Sequence, residues 1–370
     1  MSGPTRVAIL GATGSIGQQA LEVIAAHPDR LVVTALAARS RGDALKALAA
    51  KHGVKRTAVG DDDLTALATA DDVDLVLVAT PGIAGLQPTL AALAAGKDVA
   101  LANKEVLVVG GHLVRAASGG AGKRLRPIDS EHCALWQCLS GVDPSRVRRV
   151  AITASGGPFR DRALDTFGSI TADEALRHPT WRMGPKVTID SATLTNKGYE
   201  VVETRWLYDL PYERIEVVLH PESVVHAMVE LVDGSVIASI AEPDMRLAIQ
   251  YALLFEYLPS LAPRFEWRRQ RALHFGDVQL ERYPCFSHVL ATARGGDQGA
   301  MVGLSAADEV AVAQFLAGEI TFTDIAGLLR RGAELGATGA GTARAPLDLV
   351  DIVRIDERVR RELQPAAARA

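Results

Sequence analysis

The start of the chain, a strand followed by a glycine-rich turn and a helix, constrains the fold most strongly. Residues 6–10 (RVAIL) are a short apolar run of β-formers, GATGSIG follows, and QQALEVIAAH then has helical periodicity. Gly11 permits a tight turn, Gly14 allows a pyrophosphate to approach the backbone, and Gly17 allows the helix to pack closely on the strand. The pattern predicts a dinucleotide-binding unit. Because the spacing is GxxGxxG rather than GxGxxG, a glycine turn without a ligand is the alternative.

The residues after the second predicted strand bear on which dinucleotide could bind. Residues 31–38 (LVVTALAA) form this strand, and in an NAD-binding unit its end usually carries an Asp or Glu for the ribose hydroxyls. This chain has Arg39, Ser40 and Arg41 there instead. Two guanidinium groups beside a hydroxyl suit a 2′-phosphate, so the sequence favours NADP over NAD. A solvated basic loop is the alternative.

Two later strands lead to a polar triplet. Residues 73–80 (VDLVLVAT) are almost continuously apolar, as expected of a buried parallel strand, and residues 98–102 form the next strand. Asn103, Lys104 and Glu105 follow directly, where the carboxyl end of the strand meets the start of a helix. Ligands usually bind at this edge of a parallel sheet, so the triplet is a candidate binding site. A helix cap with the lysine in solvent is the alternative.

Two carboxylates in the segment RPIDSEH predict a cation site. Asp129 and Glu131 are two positions apart, so in an extended segment both side chains would point to one face and could share a divalent cation. Without a cation, crowding would make the carboxylates repel each other or raise a pKa. An exposed acidic strand edge is the alternative. The adjacent His132 is either a supporting residue or a surface residue.

Two loops have compositions typical of ligand-binding segments. Residues 155–158 (SGGP) predict an anion nest, with a plain turn as the alternative. Residues 178–184 (HPTWRMG) contain proline and glycine, so neither a helix nor a strand is expected to continue through them. Trp181 and Met183 make this loop either a local core plug or a lid that closes over a ligand, and we favour the lid.

A phosphate site is predicted immediately after the lid. Residues 186–191 (KVTIDS) resemble a strand, and a helical pattern follows, so Ser191, Asn196 and Lys197 converge near a helix start. Backbone N–H groups and positive charge favour phosphate at such a position. Glu200 shares one helix face with Asn196 and Lys197, so the same face offers an ammonium to an anion and a carboxylate to a cation. An ordinary surface ion pair is the alternative.

The order of these patterns predicts an α/β protein with three domains. Strand patterns and a hairpin signal occur between residues 215 and 240, and Ala/Leu-rich helical patterns dominate the end of the chain. The predicted domains are a Rossmann-like domain at 1–128, an α+β catalytic and dimerisation domain at 129–258, a linker at 259–284 and a helical bundle at 285–370.

Composition excludes several partners and locations. The net charge of −4 gives no basic excess, so nucleic acid and anionic membranes are not expected partners. No run of about 18 apolar residues predicts a membrane span, and the first strand starts too early for a signal peptide. The three cysteines form no CxxC pair, which predicts free thiols in a reducing compartment and hence a cytoplasmic protein.

Seven motifs together resemble the 1-deoxy-D-xylulose 5-phosphate reductoisomerase family. They are GATGSIG, NKE, DSEH, SGGPFR, HPTWRMG, DSATLTNKGYE and EPDMR, in this order, and the resemblance extends from about residue 6 to residue 325. It implies an enzyme that makes 2-C-methyl-D-erythritol 4-phosphate in the non-mevalonate isoprenoid route. It also implies a small phosphorylated sugar substrate, NADPH, one divalent cation (Mg²⁺, Mn²⁺ or Co²⁺) and a homodimer.

The resemblance also implies three sets of site residues. The implied metal ligands are Asp129, Glu131 and Glu200. The implied substrate contacts are Lys104, Ser130, Glu131, Ser155, His178, Ser191, Asn196, Lys197 and Glu200, with Trp181 and Met183 in the flap at 178–184. The implied cofactor contacts are Thr13, Gly14, Ser15, Ile16, Arg39, Ser40, Arg41, Asn103, Glu105 and Gly184. His226 matches a histidine important in the family, although a lone strand histidine is more often structural.

Three departures from the family pattern are peripheral. The family often has Gly-Lys/Arg-Asn where this chain has RSR at residues 39–41, so the 2′-phosphate contacts differ in detail. A helical NAANE-like motif is SAADE here, with Asp308 and Glu309 at its end. EPDMR is followed by Leu247 and Ala248, where the family often has Thr-Pro. None of these changes removes a predicted metal ligand.

Two other functions compete with the one implied by the resemblance. Another NADP-dependent dehydrogenase, of the semialdehyde or homoserine type, would share the first domain. A semialdehyde enzyme needs a nucleophilic cysteine, and only Cys133, beside His132, has any activating neighbour in the sequence. An NADP-binding sensor with a partner-binding helical domain is the non-enzymatic alternative, but it would need neither three carboxylates nor a phosphate site.

Overall fold

The computed structural model describes most of the chain as two β-sheets and a group of C-terminal helices. The described residues are 3–61, 63–120, 122, 124–181, 183–269, 272–338 and 346–364. Arg182 of the predicted flap lies outside these residues, as do 339–345 and 365–370 of the predicted C-terminal domain. The architecture confirms the predicted α/β fold class.

A six-stranded parallel sheet with surrounding helices forms the first unit. Its elements are β1 Thr5–Leu10, α1 Ser15–Ala26, β2 Leu31–Ala38, α2 Gly42–His52, β3 Arg56–Val59, α3 Leu64–Ala68, β4 Leu75–Val78, α4 Leu86–Ala94, β5 Asp98–Leu101, α5 Glu105–Ser118 and β6 Leu125–Pro127. The strand order is β3-β2-β1-β4-β5-β6, the order of a Rossmann fold. The chain reverses its direction of progress between β1 and β4, and a crevice for ligands opens at such a switch point.

The glycine turn after β1 has the geometry that the sequence predicts. Gly11 has a φ of 96°, and a Cβ atom there would lie 2.4 Å from the carbonyl oxygen of Ala79. A Cβ atom on Gly17 would lie 2.4 Å from the carbonyl oxygen of Gly11, so α1 packs against the turn only because this position is glycine. Gly14 precedes α1 without a side-chain cap, which leaves the first N–H groups of the helix available to a ligand.

A four-stranded mixed sheet forms the second unit. Its elements are α6 Ser130–Leu139, β7 Val147–Ala154, α7 Ala172–Ala175, α8 Pro185–Thr193, α9 Thr195–Tyr208, β8 Ile215–Leu219, β9 Val225–Leu231, β10 Val236–Ile240 and α10 Met245–Leu254. The strand order is β10-β9-β7-β8, with β7 and β8 parallel and the other neighbours antiparallel. One side of β10 therefore forms an edge of this sheet.

The structure corrects two local predictions. Residues 186–191 belong to α8 and not to a strand, because Pro185 occupies the first turn of the helix, where its missing N–H costs nothing. Asp129 and Glu131 do not lie in an extended segment. Asp129 is the N-cap of α6, a position that aspartate favours, and Glu131 lies in the first turn of that helix.

The last helix of the second unit packs on the first unit. Ile249 and Leu253 of α10 are buried in the same apolar cluster as Val7 and Ile9 of β1. Arg126 at the end of the first sheet donates from Nη1 to the carbonyl oxygen of Ala252, at 3.2 Å. The two units therefore share a core, and the carboxyl end of the first sheet faces the second unit.

Four helices complete the described fold: α11 Pro284–Gly295, α12 Gln298–Leu316, α13 Asp324–Gly336 and α14 Leu349–Leu363. Helix α12 is long and apolar enough to span a membrane by length and composition, but 72% of its most apolar window is buried inside the protein. It packs against α13 and α14 as a core helix. The apolar surface of α12 is therefore covered mainly by other parts of the protein.

Candidate active site

One cavity of about 810 Å³ collects most of the predicted site residues. Its walls include residues that follow β1, β5, β6 and β7. The predicted residues that line it are Ser15, Ile16, Lys104, Asp129, Ser130, Glu131, Ser155, His178, Trp181, Met183, Gly184, Ser191, Asn196, Lys197, Glu200 and His226. The predicted residues that do not line it are all cofactor positions: Thr13, Gly14, Arg39, Ser40, Arg41, Asn103 and Glu105.

Three carboxylates meet in this cavity. One oxygen from each of Asp129, Glu131 and Glu200 lies within 4.8 Å of the other two. Oδ1 of Asp129 accepts hydrogen bonds from the backbone N–H groups of Glu131 at 3.2 Å and His132 at 3.4 Å, which fixes the carboxylate at the start of α6. Glu200 projects from α9 and is only 1% exposed. Two helix segments that are far apart in the sequence thus build one acidic site.

Two lysines partly neutralise these carboxylates. Nζ of Lys104 donates to Asp129 and lies 3.4 Å from Oε1 of Glu200. Nζ of Lys197 lies 2.7 Å from Oε1 of Glu131 and also donates to Glu200. Burial opposes ionisation of Asp129, but the charges of Lys104, His132 and Lys197 and the hydrogen bond from His132 together outweigh burial. They hold the pKa of Asp129 well below its usual value. Burial and the charges of Asp129 and Glu131 raise the pKa of Glu200 to about 7.

This group of side chains fits a divalent cation such as Mg²⁺. Three closely spaced carboxylates provide the hard oxygen ligands that this ion prefers. Burial and the charges of Asp129 and Glu131 raise the pKa of Glu200 although two ammonium groups lie near it, so a divalent cation at this point would favour the ionised carboxylate. Asp129, Glu131 and Glu200 are the residues that could hold it.

His132 supports the carboxylates from the protein interior. Its Nδ1 lies 2.8 Å from Oδ1 of Asp129, and its Nε2 lies 2.9 Å from the carbonyl oxygen of Glu200. Burial lowers the pKa of His132, but the charges of Glu203 and Asp129 outweigh burial and raise it to about 9. Both ring nitrogens then donate hydrogen bonds, so His132 links the helix that carries Asp129 to the helix that carries Glu200.

Hydroxyl and cationic groups meet at another wall of the cavity. Nε2 of His178 lies 3.2 Å from Oγ of Ser155 and 3.0 Å from Oγ of Ser191. Asn196 and Lys197 line the same cavity from the first turn of α9. Nδ2 of Asn196 donates to Oε1 of Glu200 at 2.5 Å, so this amide borders the acidic site, as Lys197 does. Hydroxyls, an amide and an ammonium that line one cavity can bind the oxygens of a phosphate. The structure thus brings together the predicted phosphate contacts.

The ring of His178 also organises the flap segment. Its Nδ1 accepts hydrogen bonds from the backbone N–H groups of Thr180 at 3.1 Å and Trp181 at 2.9 Å, so Nε2 carries the proton. Burial and the charge of Lys197 lower the pKa of His178 to about 4, which keeps the ring neutral near pH 7. The ring centroid of Trp181 lies 6.3 Å from that of the buried His226. The flap therefore rests over the cavity with Trp181 next to His226.

The predicted cofactor residues divide into two groups. Ser15 and Ile16 start α1 and line the cavity, as does Gly184. Arg39, by contrast, lies on the surface with 64% of its side chain exposed, and Nε is 3.9 Å from Oδ2 of Asp61. The exposed loop after β2 does not line the cavity.

The side chain of Asn103, a predicted cofactor contact, is bonded to the edge of the first sheet. Its Nδ2 donates to the carbonyl oxygens of Thr80 and Gly82, and its Oδ1 accepts from the backbone N–H of Val106 at 2.9 Å. These bonds use both N–H groups of the side chain and connect the end of β4 to the start of α5. Asn103 therefore shapes the edge of the sheet next to Lys104.

The sequence patterns did not reveal a second buried ionic cluster, around Lys186. Its Nζ lies 2.9 Å from Oε1 of Glu105 and 2.7 Å from Oδ2 of both Asp190 and Asp308. Burial raises the pKa of both aspartates, and the proximity of Asp308 raises that of Asp190 further. The cluster joins α5, α8 and α12 beside the flap. The i, i+4 spacing of Lys186 and Asp190 is the one signal that the sequence contained.

The sequence patterns also missed Glu203. This residue lies on α9, is 3% exposed, and has its Oε2 3.6 Å from Nζ of Lys104. Its i, i+3 spacing from Glu200 places both side chains on one helix face, which was a usable signal. The acidic site therefore contains a fourth carboxylate that the three-ligand pattern does not include.

Comparisons with known proteins agree with this geometry. Family profiles described as 1-deoxy-D-xylulose 5-phosphate reductoisomerase match residues 7–63 and 43–111. The profile for the C-terminal domain of that enzyme matches residues 125–208, and a further C-terminal profile of DXP reductoisomerase matches residues 240–362. Together these matches cover more than half of the chain.

Curated relatives and solved structures point the same way. The 1-deoxy-D-xylulose 5-phosphate reductoisomerase of Thermomicrobium roseum is 49% identical over 342 residues, which cover 88% of this chain and 89% of the relative. That of Pelotomaculum thermopropionicum is 45% identical, with 88% and 90% covered. A crystal structure of DOX-P reductoisomerase in complex with NADPH, fosmidomycin and magnesium superposes with a TM-score of 0.90, at 36% identity and 97% coverage of both chains.

A second solved structure extends this similarity. The 1-deoxy-D-xylulose 5-phosphate reductoisomerase of Zymomonas mobilis, in complex with NADPH, has a TM-score of 0.84 and 37% identity, and the match covers 99% of both chains. Sequence profiles, close relatives and whole-chain structural similarity therefore agree. The chain belongs to the 1-deoxy-D-xylulose 5-phosphate reductoisomerase family.

Proposed function

We propose that the chain converts 1-deoxy-D-xylulose 5-phosphate to 2-C-methyl-D-erythritol 4-phosphate with NADPH and a divalent cation, as a step of the non-mevalonate isoprenoid route. The observation that carries this proposal concerns one cavity. Three carboxylates, a group of side chains that can bind a phosphate, and the start of α1 all line it. The reaction rearranges the carbon skeleton of an α-hydroxy ketone and then reduces the resulting aldehyde.

The acidic wall would hold the cation and the reacting end of the substrate. Asp129, Glu131 and Glu200 are the proposed ligands, and a related structure contains magnesium. When bound, the cation would supply Lewis-acid polarisation of the ketone and hydroxyl oxygens. His132 would keep Asp129 oriented through its bond at 2.8 Å. Ser130 lines the cavity beside these carboxylates and is the proposed contact to a substrate hydroxyl.

The adjacent group of hydroxyl, amide and ammonium side chains would anchor the phosphate. Ser155, Ser191 and Asn196 can each donate a hydrogen bond, and Lys197 adds a positive charge. The protonated Nε2 of His178 lies between the two serines and can donate to the same phosphate. Binding energy from this non-reacting end would position the ketone and offset the entropy of fixing it.

Lys104 and the flap would act on the reacting atoms. The buried ammonium of Lys104 lies at the acidic site, so it can donate a hydrogen bond to a substrate oxygen as negative charge develops there. Trp181 and Met183 line the cavity from the flap at 178–184 and would exclude water from the bound substrate. Next to Trp181, the buried His226 would limit how far the flap can close.

The first unit would hold the reduced nicotinamide dinucleotide, which supplies the hydride. The N–H groups at the start of α1, around Ser15 and Ile16, face a pyrophosphate position, and two related structures contain NADPH. Arg39, Ser40 and Arg41 form the proposed 2′-phosphate contact. These three residues are exposed after β2, the strand next to β1, where the far end of a dinucleotide bound at the start of α1 could contact them.

A coupled assay tests the function. Purified protein is mixed with NADPH, Mg²⁺ and 1-deoxy-D-xylulose 5-phosphate, and the loss of reduced-nicotinamide absorbance is followed while the product is identified by mass. Oxidation that needs both the substrate and the cation is expected. Absence of oxidation, or oxidation unchanged after chelation of the cation, would refute the proposal.

The structure offers little support for the competing functions. A semialdehyde dehydrogenase needs a reactive thiolate, but Cys133 is only 3% exposed and burial raises its pKa. A sensor that only binds NADP would gain nothing from the buried carboxylates, since buried charges cost stability unless they are compensated. The acidic site therefore favours catalysis.

The homodimer is a separate part of the proposal. Strand β10 forms a sheet edge with Val236 54% exposed and Ile240 44% exposed, and Trp267 of the predicted linker is 76% exposed. Apolar side chains at an unpaired edge favour burial against another chain, and a second copy is the proposed occupant. Sedimentation equilibrium should give twice the chain mass, whereas a monomer at assay concentration would refute this part. The three buried free cysteines support the cytoplasmic location that we propose.

A further inference from the structure

Glu203 is a buried carboxylate outside the proposed set of metal ligands, although its charge helps to raise the pKa of His132. It lies one helical turn beyond Glu200 on α9 and is 3% exposed. Within the described residues, its Oε2 has no hydrogen-bond partner. Nδ1 of His132 lies 4.0 Å from this oxygen, too far for a hydrogen bond. Burying a carboxylate oxygen without a hydrogen bond is costly, so its presence at this position needs a reason.

The nearest positive charge to that oxygen is shared with other carboxylates. Nζ of Lys104 lies 3.6 Å from Oε2 of Glu203, 3.4 Å from Glu200, and in direct contact with Asp129. Lys104 is therefore surrounded by three acidic side chains but bonds closely to only one of them. Glu203 is within reach, one short displacement away.

Lys104 and a divalent cation compete for the same oxygens. Asp129 and Glu200 are two of the three proposed ligands, and an ammonium in contact with Asp129 both blocks a lone pair and repels a cation. Among the carboxylates within 4.0 Å of Lys104 in the described part of the chain, only Glu203 is not a proposed ligand. Lys197 does not need Glu203 as a partner, because it can pair with a phosphate bound at the proposed phosphate site beside it.

We propose that Glu203 is a positioning residue. When a cation occupies the site formed by Asp129, Glu131 and Glu200, the ammonium of Lys104 leaves Asp129 and pairs with the carboxylate of Glu203. This inference rests on the proposed function. The exchange keeps the ammonium inside the cavity and paired, so that it stays available to a substrate oxygen. Glu203 therefore favours cation binding indirectly, by removing Lys104 from Asp129.

A double-mutant cycle on cation affinity tests this role without turnover. Mn²⁺ binding to purified protein is titrated by electron paramagnetic resonance for the wild type, Glu203→Gln, Lys104→Met and the double variant. Glu203→Gln should weaken Mn²⁺ binding by about tenfold, the range of one hydrogen bond to a charged group. In the Lys104→Met background the same change should alter the affinity by less than about twofold, because no ammonium then competes.

The outcomes separate this inference from the proposed function. If the wild type binds no Mn²⁺, the metal site itself is refuted. If the wild type binds Mn²⁺ but Glu203→Gln has no effect, or has the same effect with and without Lys104, the positioning role is refuted. A purely structural role would give the second of these results, since it does not depend on Lys104.

Two further variants serve as a rescue and as a control in this test. Glu203→Asp retains the charge and should recover part of the lost affinity, and it can replace Glu203→Gln if that variant does not fold. Glu309→Gln makes the same chemical change at a carboxylate paired with Arg360, away from the acidic site, and should leave Mn²⁺ affinity unchanged. A loss of Mn²⁺ affinity in Glu309→Gln as large as in Glu203→Gln would contradict the specific role of Glu203.

Discussion

Nζ of Lys197 lies 2.7 Å from Oε1 of Glu131, although the two residues are 66 positions apart in the sequence. The contact joins the first turn of α6 to the first turn of α9. It also places the cation of the proposed phosphate site against a ligand of the proposed metal site. The two ends of a small phosphorylated sugar can therefore be held by adjacent groups in one cavity.

The phosphate site predicts an effect that depends on the substrate. Ser191→Ala removes one donor to the phosphate and should raise the KM for 1-deoxy-D-xylulose 5-phosphate about tenfold, the value of one hydrogen bond to a charged group. For unphosphorylated 1-deoxy-D-xylulose, the kcat/KM of this variant should equal that of the wild type. Steady-state kinetics with both sugars checks this, and an equal loss with both would place Ser191 outside the phosphate site.

The loop after β2 predicts a cofactor preference. Replacing Arg39 and Arg41 by alanine removes two exposed cations that we assign to the 2′-phosphate. The KM for NADPH should rise about tenfold or more, with little change for NADH, because only NADPH carries that phosphate. Kinetics with both cofactors distinguishes the outcomes. Parallel changes for the two cofactors would count against the assignment.

The glycine turn predicts a stability effect. Gly17→Ala places a Cβ atom 2.4 Å from the carbonyl oxygen of Gly11, so the helix must move away from the turn. The free energy of unfolding should fall by about 1–3 kcal/mol, the usual cost of overpacking. Gly295→Ala is the matched control, because its Cβ would have no atom within 4 Å. Urea denaturation of both variants is the measurement, and equal stabilities would contradict the packing argument.

The cluster around Lys186 predicts a pH effect. Burial raises the pKa of Asp308, so the folded protein holds this proton more tightly than the unfolded chain. Its contribution to stability is present below the unfolded pKa of about 4 and is lost as the pH rises towards the raised folded value. Asp308→Asn should therefore flatten the decline of the unfolding free energy over this range.

At about pH 8 the Asp308→Asn variant should be more stable than the wild type, because the neutral amide avoids the cost of ionising a buried carboxylate at this pH. Lys186 keeps Glu105 and Asp190 as partners in the variant. Urea denaturation at several pH values measures the effect, with the exposed Asp277→Asn as control. An Asp308→Asn variant with the same pH slope as the wild type would show that Asp308 is ionised throughout.

The sequence predicted the local chemistry better than the local geometry. The turn at Gly11 and Gly17 could be predicted because close backbone approach permits only glycine there. Residues 186–191 were misassigned because Val, Thr and Ile favour strands intrinsically, whereas Pro185 and the tertiary contacts of Lys186 decide for a helix.

Long-range pairing could not be derived from spacing alone. Asp129 and Glu200 were assigned to one metal through a family resemblance, since no local pattern states which helices meet. The spacing of Glu203 from Glu200 was a usable signal, but its proposed role depends on Lys104, which approaches it from another unit and could not be derived from spacing. The pKa and the energetic cost of a buried charged group depend on the partners that the fold places beside it.

The central claim is that Asp129, Glu131 and Glu200 hold one cation on which the reaction depends, and Glu200→Gln tests it most directly. Oxidation of NADPH with 1-deoxy-D-xylulose 5-phosphate is measured against Mg²⁺ concentration for the wild type and the variant, together with NADPH binding to each. We expect the wild type to require Mg²⁺ and the variant to lose at least about a hundredfold in kcat/KM, more than the loss of an outer partner would cause, while NADPH binding is retained. Turnover by Glu200→Gln at the wild-type rate and with the wild-type Mg²⁺ dependence would contradict the claim.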